Sequence, residues 1–310
     1  MRILVTGGAG FIGSHVAEAY LRAGHEVAVV DNLSTGKREN LPPGCVLHQL
    51  DLLEQPRLEA LFKDFRPEVV SHHAAQVDVR LSWEDPVLDA RTNVLGSLAL
   101  LRQMVRWETP KLIFSSSGGA VYGEPAKLPV TEDHTVRPLS NYGVSKYAIE
   151  LYIRSFQASA NLRAVILRYP NVYGPRQDPA GEAGVVAVFS RLLLQGERPR
   201  IFGDGTKTRD YLYIEDVIEA NLLALQASDD GVYNLGWGRQ VTDWEVFQAV
   251  RDAVGANVDP VFEQKRPGEI DHICLDATRA RTHLGWSPKL EFSDGVARTV
   301  AYWRRKIGSL

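Results

Sequence analysis

The chain has 310 residues, of which 45% are hydrophobic, so it can bury the core of one large domain or of two ordinary ones. Its formal charge is -3 and it has no long run of Lys or Arg, which argues against nucleic acid or a membrane surface as partner and favours a small molecule. Two cysteines, Cys45 and Cys274, are too few for a disulfide framework and lack metal-ligand spacing. The apolar N-terminal stretch is too short for a signal peptide and no apolar run approaches ~20 residues, so we expect a cytoplasmic protein.

Short β-branched runs alternate with longer amphipathic segments through the first two thirds of the chain. The predicted strands are Ile3–Val5, Glu26–Val30, Cys45–Gln49, Val69–His72, Lys111–Phe114 and Ala164–Arg168. The first helix follows the apolar spacing from Ile12 to Ala23 and is predicted to end at Gly24. This alternation predicts an α/β fold with a Rossmann-type, doubly wound parallel sheet.

The rhythm changes near Tyr169, where loops rich in Gly and Pro precede short mixed elements. We therefore predict a first domain over residues 1–170 and a smaller mixed α/β domain over residues 171–310. The apolar run Gly231–Leu235 is predicted to return to the first sheet, within a segment spanning residues 209–238.

A glycine-rich turn lies between the first strand and the first helix. Two registers fit, Gly8-x-Gly10-x-x-Gly13 and Gly7-x-x-Gly10-x-x-Gly13, and both permit close approach of a pyrophosphate to backbone N–H groups. Asp31 ends the second strand 18 residues after Gly13, where a carboxylate can bind a ribose hydroxyl. Because Asp31 would repel a 2′-phosphate, the sequence favours NAD over NADP.

Tyr142 and Lys146 are four residues apart on a predicted helix, which places the phenol and the ammonium on one face. A nearby positive charge favours the phenolate, so such a tyrosine can exchange protons near neutral pH. The spacing alone is common. The glycine turn and Asp31 that precede it favour an acid/base role for the pair.

Further motifs follow in a specific order along nearly the whole chain. They include His72-His73-Ala74-Ala75, Asn93-x-x-Gly96, Ser115-Ser116-Ser117, Tyr142-x-x-x-Lys146, the run from Arg168 to Arg176, Gly203-Asp204-Gly205, Arg209-Asp210-Tyr211 and Arg266-Pro267-Gly268-Glu269. With these motifs the chain resembles the extended short-chain dehydrogenase/reductase family, and within it the UDP-glucose 4-epimerase-like enzymes. The resemblance implies an NAD-dependent enzyme that acts on a UDP-sugar.

The resemblance also implies where the cofactor binds. The cofactor-binding positions would be Gly7, Gly10, Phe11, Ile12 and Gly13 at the pyrophosphate turn, Asp31 and Asn32 at the ribose, Asp51 and Leu52 at the adenine, and Ala74, Ala75, Asn93, Ser115, Tyr142 and Lys146 toward the nicotinamide.

For the substrate, the resemblance implies that Asn171, Arg209 and Arg266 grip the diphosphate, that Glu269 holds the uridine ribose and that the segment beginning near Val185 covers the uracil. Guanidinium groups suit phosphate because they can donate two parallel hydrogen bonds. Ile273 falls near a position that gates bulky 2-acetamido sugars in relatives, and its intermediate size leaves UDP-GlcNAc and UDP-GalNAc open as substrates.

The implied reaction is epimerisation at C4 of a UDP-hexose. Tyr142 would take the 4-hydroxyl proton while C4 gives a hydride to NAD⁺, and the 4-keto sugar would turn over and take the hydride back on its other face. Lys146 and the positive nicotinamide would together lower the pKa of the phenol. Ser117 is the preferred relay hydroxyl and Ser116 the alternative, because this chain has one more residue before Val121-Tyr122-Gly123 than many relatives.

Other chemistries remain as alternatives. Dehydratases of the family follow the catalytic hydroxyl with an Asp-Glu pair, where this chain has Gly118-Gly119, and that disfavours dehydration. A UDP-glucuronate epimerase or decarboxylase is less easily excluded, and a catalytically inactive NAD(H)-sensing or scaffold protein is an alternative of another class.

Two further expectations concern metals and assembly. His72 and His73 are adjacent on a strand and point to opposite faces, so we predict structural roles for them and no metal site. By family analogy we expect a homodimer formed through helices that begin near Pro86 and Tyr142.

Overall fold

The computed structural model describes residues 1–180, 184–228, 230–265 and 270–307. Seven parallel strands form its main sheet: β1 (Arg2–Thr6), β2 (Glu26–Asp31), β3 (Val46–Gln49), β4 (Val69–His72), β5 (Lys111–Ser117), β6 (Arg163–Tyr169) and β11 (Gly231–Asn234). Their spatial order is β11-β6-β5-β4-β1-β2-β3. All six predicted runs form strands of this sheet, which confirms the predicted fold class.

The strand order reverses between β1 and β4, so the chain winds outward in both directions from β1. Ligands bind at such a reversal because the loops after the two strands diverge and leave a crevice at their carboxyl ends. The loops after β1, β4 and β5 carry candidate cofactor residues. The topology therefore brings these residues together at the carboxyl ends of the strands.

Alternate residues of the strands enter two different cores. Ile3 and Val5 pack with α1 (Phe11–Arg22) and α9 (Ile214–Gln226) on one face. Leu4 faces the other side, where it packs with α2 (Gln55–Phe65), α5 (Gly96–Arg106) and α7 (Asn141–Ser159). Because successive strand side chains point to opposite faces, a sheet covered by helices on both sides needs apolar residues at nearly every strand position.

Short elements connect the main helices. They are a 3₁₀ turn at Arg38–Asn40, α3 (Val79–Glu84), α4 (Pro86–Ala90), a π-helical segment at Arg91–Leu95 and α6 (Gly118–Val121). The first helix has the predicted extent, since α1 ends at Arg22 and Gly24 follows with φ of 81°.

The second part of the chain forms two-stranded sheets and a helical layer. The strands are β7 (Asn171–Tyr173), β8 (Arg200–Phe202), β9 (Thr208–Arg209), β10 (Tyr211–Tyr213), β12 (Val241–Thr242) and β13 (Val261–Glu263), paired as β7 with β10, β8 with β13 and β9 with β12. The helices are α8 (Val185–Leu194), α10 (Asp243–Val254), α11 (Thr278–Leu284) and α12 (Phe292–Ile307), of which α8, α10 and α12 contact one another.

Strand β11 pairs in parallel with β6, so the chain crosses back to the main sheet after β10. The division into domains at residues 170 and 171 stays a prediction. Within the described ranges, every helix is too short or too polar to cross a bilayer.

Candidate active site

The glycine turn after β1 is shaped by close backbone contacts. Gly7 has φ of 68°, and a Cβ on Gly13 would lie 2.2 Å from the carbonyl oxygen of Gly7. Helix α1 begins at Phe11 directly after Gly10, its N-cap residue. The first-turn amides of a helix have no partner within the helix, so those of Phe11 and Ile12 are suited to a pyrophosphate.

Asp31 lies where β2 ends and braces this turn. Its carboxylate accepts hydrogen bonds from the amides of Ala9 at 2.9 Å and Leu33 at 2.8 Å. The side chain of Asn32 donates to Asp51 at 3.0 Å, so both acidic residues lie at the same end of the sheet. Leu52 is buried next to Asp51. Two carboxylates at this position suit ribose hydroxyls and disfavour a 2′-phosphate.

The loop after β4 approaches the glycine turn closely. The amide of Ala74 donates to the Thr6 hydroxyl at 3.2 Å, and a Cβ on Gly7 would lie 2.6 Å from the same nitrogen. Asn93 is buried, and its side chain is hydrogen-bonded to the amide and carbonyl of Gln76 at 2.9 and 3.0 Å. Asn93 therefore supports the loop that carries Ala74 and Ala75.

His72 and His73 have separate hydrogen-bond partners. His72 lies 2.6 Å from the Thr6 hydroxyl and 2.8 Å from the Ser97 hydroxyl, whereas His73 lies 2.8 Å from the Ser71 hydroxyl. Burial lowers the pKa of both histidines to about 3, so both are neutral near pH 7.

Helix α7 brings the two central site residues next to β5. The Ser140 hydroxyl caps the helix by accepting from the amide of Gly143 at 3.1 Å, so the first turn places Tyr142 at the helix N-terminus. A Cβ on Gly143 would lie 2.6 Å from the carbonyl oxygen of Ala120, which shows how closely α7 packs on α6. Lys146 donates to the carbonyl of Ser115 at 2.9 Å.

Ser116 and Ser117, at the end of β5, have hydroxyls that meet different partners. The Ser117 hydroxyl lies close enough to Tyr142 to act on the phenol as a hydrogen-bond donor, which lowers the pKa of Tyr142. Ser116 instead donates to the buried carboxylate of Glu150 at 2.5 Å. Tyr142 and Glu150 both lie on α7, so one position along β5 decides which hydroxyl meets the phenol.

The protein surroundings shift the pKa values of both central residues. Although Tyr142 is partly accessible, burial of its hydroxyl raises its pKa to about 12, against which the hydrogen bond from Ser117 works. Burial lowers the pKa of Lys146 to about 8, and the negative charges of Asp89 and Glu150 counteract that shift. The sequence predicts a lowered pKa for the phenol. In the protein without cofactor or substrate, however, burial raises the pKa of Tyr142 by more than Ser117 lowers it.

The structure places part of the expected substrate site beside Ser117. A Cβ on Gly119 would lie 3.5 Å from Oδ1 of Asn171, so this asparagine faces the start of α6. The amide of Asn171 donates to the carbonyl of Asp210 at 3.0 Å, which brings the neighbouring Arg209 into the same region. Arg209 donates to the carbonyl of Thr208 at 2.8 Å and to that of Asp271 at 3.3 Å.

The other residues expected to bind the substrate lie on other elements or outside the described residues. Val185 is the half-buried first residue of α8. Ile273 is buried, and its amide donates to the carbonyl of Thr208 at 3.3 Å, so it lies next to Arg209. Arg266 and Glu269 lie outside the described residues.

Two buried carboxylates near Lys146 were not predicted. Glu150 is fully buried and forms a two-point ion pair with Arg168, at 3.0 Å from Nε and 2.5 Å from Nη2. Asp89 on α4 is 1% exposed and accepts from Ser145 on α7. For Glu150 the four-residue spacing from Lys146 was an available signal, whereas Asp89 lies far from the site in sequence and shows no motif.

The comparison with known proteins agrees with this geometry. The sequence profile described as the NAD dependent epimerase/dehydratase family matches residues 3–236. The chain belongs to this family.

Three members of this family illustrate the similarity. UDP-glucose 4-epimerase of Mycolicibacterium smegmatis is 41% identical over 311 residues, covering 99% of both chains. The structure of UDP-glucose 4-epimerase from Thermotoga maritima with UDP-glucose has a TM-score of 0.98 at 45% identity and covers 99% of this chain and 100% of that one. The complex of the Thermus thermophilus UDP-glucose 4-epimerase with NAD has a TM-score of 0.94 at 47% identity and covers 98% of this chain and 99% of that one.

Proposed function

We propose that this protein is an NAD-dependent epimerase that interconverts UDP-glucose and UDP-galactose through a 4-keto sugar. The observation that carries the proposal is the placement of the Ser117 hydroxyl beside the phenol of Tyr142, with Lys146 one helical turn after Tyr142 and bonded to the end of β5. Relatives that match the chain over nearly its whole length, named as UDP-glucose 4-epimerases, support it.

The residues of the glycine turn and of the neighbouring strand ends fit NAD. Gly13 lets the first turn of α1 pack closely against the backbone of Gly7, where a Cβ would clash. The first amides of α1 stay accessible at this turn and can bind a pyrophosphate. Asp31 and Asn32 would hold the adenosine ribose, and Asp51 with Leu52 would border the adenine. When bound, NAD⁺ would accept the hydrogen and electron pair from C4, return them, and add a positive charge beside Tyr142.

Tyr142 is proposed to exchange the proton of the sugar 4-hydroxyl. Its hydroxyl must become a phenolate to do so, and the pKa of about 12 in the chain alone must therefore fall when substrate and cofactor occupy the site. Lys146 contributes one positive charge, and Ser117 donates a hydrogen bond that favours the phenolate. Ser117 is also within reach to relay the proton between Tyr142 and the sugar oxygen.

The substrate is proposed to be anchored through its diphosphate while the sugar turns over. Asn171 and Arg209 would bind the diphosphate, with Arg266, while Glu269 would hold the uridine ribose and Val185 would lie against the uracil. Anchoring the nucleotide leaves rotation about the link to the sugar free, so either face of C4 can be presented to the cofactor.

The structure near Ser117 weighs against elimination chemistry. Gly118 and Gly119 supply no acid beside Ser117, and a side chain at Gly118 would require Leu275 to move, because a Cβ there would lie 2.4 Å from its Cδ1. The buried Ile273 beside Arg209 leaves 2-acetamido sugars as the main alternative substrates. An inactive NAD(H)-binding protein is less well supported, because Tyr142, Lys146 and Ser117 are all assembled. A UDP-glucuronate epimerase or decarboxylase would use the same three residues and stays an alternative.

We also propose that the protein is a cytoplasmic homodimer. The free thiols of Cys45 and Cys274 suit a reducing compartment. Large apolar side chains are exposed on neighbouring elements, with Val87 and Leu88 on α4 and Val144, Leu151 and Tyr152 on α7. Helices α4 and α7 contact each other, and we propose that these residues form one surface that a second copy of the chain covers by helix packing.

A turnover assay tests the proposed function. The purified protein, incubated with NAD and UDP-galactose, should release UDP-glucose, and the Tyr142→Phe variant should retain NAD but lose about 10³-fold or more in kcat. A panel with UDP-GlcNAc and UDP-glucuronate distinguishes the alternatives. Absence of turnover with every UDP-sugar would refute the proposal. Near-normal turnover of Tyr142→Phe would show that Tyr142 is not the group that exchanges the proton of the sugar 4-hydroxyl.

A further inference from the structure

Asp89 is a buried acidic residue that joins three pieces of the candidate site. Its Oδ1 accepts from the side-chain amides of Gln76 and Asn93, each at 3.0 Å, and its Oδ2 accepts from the Ser145 hydroxyl. Gln76 follows the loop with Ala74 and Ala75, and Ser145 lies between Tyr142 and Lys146 on α7. One carboxylate thus ties the nicotinamide-side loop to the turn that carries both central residues.

The electrostatic surroundings of Asp89 are unusual. The donors that the described part of the chain shows for it, Gln76, Asn93 and Ser145, are all neutral. A buried carboxylate needs a compensating positive charge, because loss of hydration is costly. The Asp89 carboxylate is bonded to Ser145, the residue directly before Lys146 on α7, and its charge acts on Lys146, which is 4% exposed.

Other groups that face Lys146 cannot replace Asp89. His72 at the end of β4 and His73 directly after it are held neutral by burial, which lowers their pKa values to about 3. Glu150, on the same helix as Lys146, is already paired with Arg168. Among the described residues that act on Lys146, Asp89 is therefore the anion whose charge is not offset by a guanidinium.

We propose that Asp89 is a positioning residue of the active site, which holds the Tyr142–Lys146 turn through Ser145 and serves as the counter-ion that keeps Lys146 protonated. This inference rests on the proposed function for the roles of Tyr142 and Lys146. Without Asp89, the charge of Glu150 alone would counteract the lowering of the Lys146 pKa by burial. Lys146 would then lose its proton at a lower pH. The negative charge of Asp89 by itself opposes ionisation of the phenol, so the benefit of Asp89 to Tyr142 runs through the proton that it keeps on Lys146.

The test compares three variants with the wild-type protein. Asp89→Asn removes the charge at nearly constant volume, and Ser145→Ala removes one hydrogen bond while keeping the charge. Asp85→Asn is the matched control, because Asp85 is an exposed residue of the same region that caps α4 by accepting from the amide of Leu88 at 2.8 Å, which Asn also does.

The first measurement is an NMR titration of ¹³Cε-labelled lysine in protein without substrate, with the Lys146 signal assigned by Lys146→Met. Asp89→Asn should lower the titration midpoint of Lys146 by about one pH unit, whereas Asp85→Asn and Ser145→Ala should leave it in place. A midpoint that Asp89→Asn does not move would overturn the counter-ion role, since a purely structural residue would not affect it.

The second measurement is the pH dependence of kcat and KM with UDP-galactose. Asp89→Asn should shift the basic limb of kcat to lower pH by a similar amount, and Ser145→Ala should lower kcat about five- to tenfold with little change in KM. If Asp89→Asn does not fold, Ser145→Ala decides, and a wild-type kcat in that variant contradicts the positioning role. Because the titration needs no substrate, a shifted midpoint in a protein without turnover would refute the proposed function and leave the counter-ion role standing.

Discussion

The Ser117 hydroxyl acts on the phenol of Tyr142 in the first turn of α7, whereas the Ser116 hydroxyl, one residue earlier on β5, donates to Glu150 further along the same helix. The two serines have the same chemistry and nearly the same place in the chain. Both partners lie on α7, so the difference follows from the position of each serine along β5: Ser117, the last residue of the strand, meets the first turn of the helix, and Ser116 meets a later one. Site-directed variants can exploit this difference.

Ser117→Ala should lower kcat about 10²-fold, because Tyr142 loses the hydrogen bond that favours its phenolate and the sugar loses its proton relay. Ser116→Ala should lower kcat less and should lower the free energy of unfolding by about 1 kcal/mol, since Glu150 loses one donor. Steady-state kinetics and denaturant unfolding of both variants give the comparison. A larger loss of kcat in Ser116→Ala would reverse the assignment.

The stability of the protein should depend on the protonation of Lys146. Its folded-state pKa of about 8 lies below the ordinary value of 10.5, so the unfolded chain holds this proton more tightly than the folded chain does. Stability therefore rises with pH between about 8 and 10.5, by about 3 kcal/mol for this group. Without bound ligand, the unfolding free energy of the wild type should rise by this amount relative to Lys146→Met over that range. A constant difference across the range would contradict the assignment.

The ion pair of Glu150 with Arg168 should be necessary for stability. The side chains are 0% and 2% exposed, so Glu150→Gln leaves a buried guanidinium uncompensated and should cost about 3–5 kcal/mol. The matched control is Glu59→Gln, which breaks the pair with Arg106, whose side chains are 36% and 59% exposed. That change should cost less than about 1 kcal/mol. Chemical denaturation measures both, and equal effects would show that burial of the first pair has no consequence.

The apolar surface on α4 and α7 should mediate dimer formation. Leu151 is 48% exposed, so Leu151→Glu should fold normally yet place a charge at the proposed interface. Sedimentation velocity should then show a monomer where the wild type is a dimer. Val46→Glu is a suitable control, because Val46 is 59% exposed on β3, at the opposite end of the protein's main sheet from β11. A wild type that is monomeric at micromolar concentration would contradict the proposed dimer.

The sequence by itself determined the sheet, the glycine turn, Asp31 and the Tyr142–Lys146 pair, because each depends on local spacing. Periodicity of apolar residues predicts strands and helices, and four-residue spacing on a helix places two side chains on one face. The order of these motifs along the chain was enough to indicate the family.

Only the tertiary structure decided which serine meets Tyr142, how burial shifts the pKa values of Tyr142 and Lys146, and that Asp89 and Glu150 lie near Lys146. These properties depend on contacts between residues far apart in sequence. The phenol's pKa illustrates the point: the spacing predicted a nearby cation, but the degree of burial is a property of the packed site. Desolvation acts over the whole surroundings of a group, and no local pattern in the sequence encodes it.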